Sequence, residues 1–62
     1  MTFSLLFSDG EGKTAAHVDL SLGSNDAAAA IAAQILRREK RFVAVSIWRG
    51  FKLIETVHRN DL

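Results

Sequence analysis

The sequence predicts a two-layer α+β domain of order ββαββ, in which one helix packs on one face of a four-stranded, mostly antiparallel sheet. Three observations predict it. Two pairs of β-patterned runs are each joined by a glycine-containing turn, an alanine-rich run with helical apolar spacing separates the pairs, and neither proline nor cysteine interrupts the chain. Residues 1–62 form one domain, and the spacing leaves strand order open.

The first strand runs from Thr2 to Ser8, where Phe3, Leu5 and Phe7 alternate with Thr2, Ser4 and Ser8, with Leu6 as the exception on the polar side. Asp9-Gly10-Glu11-Gly12 is a turn signal, with an Asp able to accept bonds from the backbone that follows it. Thr14 to Leu20 alternates again, and pairing Phe7 with Ala16, Leu5 with Val18 and Phe3 with Leu20 gathers the apolar residues on one face. The run Asp9 to Thr14 superficially resembles a phosphate loop. Its glycines are separated by one residue rather than four, and a strand pattern follows, so the turn reading is preferred.

Ser24, Asn25 and Asp26 are capping residues, with Leu22 placed to pack back on the first turn, and a helix is expected from Ser24 to Lys40. Ala28, Ile31, Ala32, Ile35 and Leu36 share its apolar face; Gln34, Arg37 and Arg38 lie elsewhere. The charge run Arg37 to Arg41 reads first as a solvated helix end suited to the helix dipole. A phosphate-binding patch is the second reading.

The stretch from Phe42 to Val57 reads as a hairpin turning at Arg49-Gly50, which opposes Trp48 to Phe51, Ser46 to Leu53, Ala44 to Glu55 and Phe42 to Val57. In that register one face carries Val43, Val45, Ile47 and Ile54, and the other Phe42, Trp48, Phe51, Leu53 and Val57. One helix covers one face only. The second apolar face is therefore the expected interface or ligand-binding surface. Glu55, within it, reads as an edge gatekeeper against aggregation or as the counter-charge to a partner's Arg.

Function follows from that surplus of apolar surface. A 62-residue chain with no cysteine has neither disulfides nor a Cys/His zinc cluster to support a small core, and oligomerisation is the remaining device. The expected function is a non-enzymatic protein–protein interaction or structural module, a homodimer at micromolar concentration or a dock for a larger partner. The alternative is single-stranded nucleic-acid binding, with Phe42, Trp48 and Phe51 stacking on bases and Arg41, Arg49 and Lys52 holding phosphates. A formal net charge of +1 weighs against it.

No catalytic residues, metal or cofactor are expected. No Gly-x-Ser-x-Gly context surrounds any serine. His17 and Asp19 share a face, and a metal site joined by His58 is geometrically possible, but the polar side of an edge strand accounts for them more simply. His58 lies near a C-terminus expected to fray. The N-terminus lacks a basic leader and reads as structure, and no run suits a membrane span; with the absence of cysteine, a cytoplasmic location is expected.

Overall fold

The apolar alternation of Phe3, Leu5 and Phe7 with that of Ala16, Val18 and Leu20 specifies the inward face of the first hairpin. In the computed structural model, which describes residues Met1–Leu62, β1 (Thr2–Asp9) and β2 (Thr14–Ser21) are antiparallel, with Phe3 opposite Leu20, Leu5 opposite Val18 and Phe7 opposite Ala16, as the apolar pattern requires. Asp9 organises the turn between them. Its Oδ1 accepts the Glu11 N–H at 2.9 Å and the Lys13 N–H at 3.0 Å, and Gly12 takes the positive φ, 81°, that closes the loop. The carboxylate occupies backbone donors that a phosphate would need.

Ser24 caps α1 (Asn25–Arg38) by accepting the Ala27 N–H on Oγ at 3.1 Å. The helix stops two residues short of the expected Lys40, since Glu39 leaves the helical region after its N–H bonds to Ile35 O. Ala28, Ala32 and Leu36 are fully buried, and their small or γ-branched side chains let the helix approach the sheet closely. Ile31 and Ile35, expected to share the main burial, are only half-buried at the border of the core.

β3 (Phe42–Arg49) pairs with β1 and with β4 (Lys52–His58), giving an antiparallel sheet of order β2-β1-β3-β4. The fold is thus the expected ββαββ with the helix on one face. The C-terminal hairpin departs from expectation in register. Its two-residue turn is Gly50-Phe51 rather than Arg49-Gly50, and Arg49 faces Lys52. Gly50 takes φ 64° at the first central position while Phe51 keeps a negative φ, as in a type II′ turn. Trp48 consequently opposes Leu53, with Ile54 the extra residue of a bulge, and Ser46 opposes Thr56.

A second bulge, where β1 and β3 pair, leaves Val43 as the extra residue and rotates Phe42 inward. There Phe42 stacks on Phe7, with ring centroids 5.0 Å apart. The core is Phe3, Leu5, Phe7, Phe42, Val45 and Ile47 against Ala28, Ala32 and Leu36, with Ile54 and Val57 packed at its edge.

The C-terminus is tied down rather than frayed. After β4 a single 3-10 turn, Arg59–Asp61, brings the Arg59 guanidinium onto the carbonyls of Leu36, Glu39 and Phe42. These are the helix's closing carbonyls and the entry to β3. No glycine caps this helix, and Arg59 does that work from twenty residues downstream.

Candidate functional site

Side chains alternate across the pleat, so the register determines what the helix-free face displays. Three rows run across all four strands: Asp19, Ser4, Trp48, Leu53; then His17, Leu6, Ser46, Thr56; then Thr14, Ser8, Ala44, His58. The surface is mixed, polar over β2 and apolar toward the β3–β4 turn.

Of the five residues expected on one apolar face, the structure brings together only Trp48 and Leu53. Phe42 is turned into the core, and Val57 lies opposite Val45 on the helix side. Phe51 sits in the turn itself, at 104% exposure. The register shift and the two bulges cause all three displacements. Glu55 is moved as well: it faces Ile47 on the outer strand, exposed and outside any ion pair of the chain.

What remains is an apolar cluster at one end of the sheet. Leu53 is 47% and Met1 56% exposed, and Met1 Sδ lies 3.2 Å from Arg49 Nη1, which places the chain's start beside the turn. Trp48 is half-buried among them, and its indole Nε1 is enclosed without an acceptor. An enclosed donor lacking a partner costs about 1–3 kcal/mol.

The expected phosphate-binding residues are divided. Arg49 and Lys52 flank the Gly50-Phe51 turn, whereas Arg41 lies at the far end of β3, over the Phe42 ring at 4.8 Å and 3.8 Å from Glu39. A strand of eight residues separates the two groups, about 25 Å at strand rise.

Over β2 the polar end of the face is ordered. Asp19 Oδ1 accepts the Ser4 hydroxyl at 2.7 Å and lies 2.8 Å from His17 Nε2. The Ser4 bond first, then the His17 bond, holds the Asp19 carboxyl below its ordinary value. His58 cannot join this pair as a third metal ligand, because β2 and β4 are opposite edges of the sheet, and no three metal-ligating side chains converge anywhere. The surface has no pocket, and no helix is long and apolar enough to cross a membrane.

Sequence reasoning placed His17 and Asp19 on one face but missed their bond with Ser4, for which the serine one strand over at matching register was the signal. It also missed Arg59, whose role arises only from tertiary structure. Comparison with family models, characterised proteins and solved structures finds no match to this chain.

Proposed function

We propose that the chain is a small non-enzymatic protein–protein interaction module that self-associates through the helix-free face of its sheet, centred on Trp48. The observation that carries this reading is the uncovered apolar end of that face. Trp48 is half-buried beside Leu53, which is 47% exposed, and the fully exposed Phe51 and the half-exposed Met1 lie at the same end of the sheet by the β3–β4 turn. Aromatic and methionine side chains with few charges suit the centre of a protein interface. The indole N–H without an acceptor adds to this, because a partner that repacks Trp48 can offer one.

Nucleic-acid binding has less support. Phe42 is buried and Arg41 is remote, so only Trp48 and Phe51 with Arg49 and Lys52 retain the interleaving of aromatic and basic residues that base stacking needs.

Light scattering across a concentration series, read with Trp48 fluorescence, tests the proposal. Association that shifts the emission to the blue, and a smaller assembly in Trp48→Ala with the fold retained, is the expected result. A monomer at every concentration, whose fluorescence is quenched by single-stranded oligonucleotide with a steep salt dependence, refutes it in favour of nucleic acid.

A further inference from the structure

The outer edge of β2 carries a second, different surface. The outer edge of β4 is blunted by Lys52, Glu55 and the Ile54 bulge, and it ends in the Arg59–Asp61 turn. From Ala16 to Ser21, β2 has no bulge and no lysine, arginine or proline. Its ladder phase can be read from its end. Leu22 N–H bonds Met1 O at 2.9 Å and the Met1 ammonium bonds Leu22 O at 3.2 Å, so Met1 and Leu22 form a mutually bonded pair. Bonded and non-bonded pairs alternate along an antiparallel ladder. Leu20, Val18 and Ala16 therefore bond to β1, and the N–H and C=O groups of His17, Asp19 and Ser21 point out of the sheet.

That outward set is self-complementary. We infer that β2 pairs antiparallel with β2 of a second copy about a twofold axis through Val18. This goes beyond association through the helix-free face and stands on different groups. In this register, His17 of each copy faces Asp19 of the other, and both residues have outward backbone groups, so each pair exchanges two N–H···O bonds. The imidazole and carboxylate fall side by side across the junction, where a ring N–H can donate to the carboxylate. On the helix side, Val18 meets Val18, and Ala16 meets Leu20. All three are only half-buried in one copy, because α1 packs over β3, β4 and β1. A twofold through His17 would instead oppose the two imidazoles and leave Asp19 facing Ala15. The Val18 register alone matches charge, apolar side chains and hydrogen-bond phase together, and an isologous pairing requires such self-matching.

Amide hydrogen exchange by NMR from tens of micromolar to millimolar chain tests the inference. The His17 and Asp19 amides should slow about tenfold or more as concentration rises, while the Val18 amide, already bonded to β1, stays protected throughout. His17→Asp, which opposes two carboxylates at each junction pair, and Asp19→Lys, which replaces the carboxylate acceptor opposite the imidazole by an ammonium, should each abolish the concentration dependence. An equimolar mixture of the two should restore it. A chain that is dimeric by mass but shows fast exchange at His17 and Asp19 overturns edge pairing and leaves the dimer to the Trp48 face. A monomer by mass at millimolar concentration overturns both. Protection at those amides only after an extended peptide is added overturns the second copy as the occupant. Protection that survives Trp48→Ala supports the edge independently of the other face.

Discussion

Truncating Arg59 should destabilise this domain by more than its half-exposed position suggests. Its guanidinium donates to the Leu36, Glu39 and Phe42 carbonyls, of which Leu36 and Phe42 are reached through partly buried bonds and Glu39 through an exposed one. A hydrogen bond involving a charged group contributes about 1.5–3 kcal/mol when shielded, so the two shielded acceptors together contribute about 4 kcal/mol. Freeing the arginine returns about 1.5–2 kcal/mol of side-chain entropy. Arg59→Ala should therefore cost about 2 kcal/mol, a fall in midpoint of roughly 8–16 °C for a domain this small. Arg59→Lys keeps the cation near the helix C-terminus but not the planar fork that spans three carbonyls, and should lose most of the same stability. Thermal unfolding by circular dichroism, at one fixed chain concentration because assembly shifts the midpoint, measures both. If Arg59→Ala lies within about 0.5 kcal/mol of the parent, the C-terminal turn is not holding the helix end. If Arg59→Lys is as stable as the parent, the effect is charge at the helix dipole rather than carbonyl capture.

Leu36→Ala, at a fully buried site, should cost about 2–5 kcal/mol in urea unfolding, whereas Ile35→Ala, at the half-buried border, should cost clearly less and Gln34→Ala almost nothing. Equal costs for Leu36 and Gln34 would place the wrong helix face against the sheet. The Asp19 carboxyl titrates below its ordinary value in the folded chain, so its contribution to stability is complete above the unfolded value of 3.8 and is lost as pH falls through the folded one. Ser4→Ala removes the largest cause of that shift. Carbon-detected titration of Asp19 should then move upward toward 3.8, and an unchanged midpoint would show that Ser4 is not its donor.

The parts of the fold legible in the sequence are those where one physical signal had no competitor. In the first hairpin a one-residue slip would break the single apolar face of Phe3, Leu5, Phe7, Ala16, Val18 and Leu20, and the short Asp9–Lys13 turn chooses among the registers that keep it. Ser24 announced the helix start because a capping hydroxyl acts on the backbone beside it. The second hairpin was ambiguous for the opposite reason. With apolar residues on both sides of Phe42 to Val57, a one-residue slip exchanges one apolar set for another, and pattern alone cannot penalise it. Gly50 marked the turn correctly but fits either central position. The chain resolves the choice with bulges at Val43 and Ile54, which depend on the neighbouring strands. Arg59 was illegible because its acceptors come from the helix end and β3, which only the finished fold brings together.

The bulges also change how the site must work. With Phe42 and Val57 turned toward the helix, the free face keeps Trp48, Leu53 and Leu6 among serines, threonines and histidines. Strands about 4.8 Å apart and a rise of about 3.4 Å per residue give that face a plane of roughly 400 Å². A stable, specific interface buries about 800 Å² per partner, so even with side-chain relief a single face lies at the weak, reversible end. Pairing two copies through β2 places both free faces on the same side of one continuous sheet and doubles the plane to about 800 Å². Edge pairing should thus precede any tight docking on the face. In sedimentation, Asp19→Lys should then abolish both the first association step and any larger assembly, while Trp48→Ala should remove the larger assembly and leave the dimer. Loss of the dimer in Trp48→Ala, with His17 and Asp19 amides unprotected in the parent, would reverse that order and put the face first.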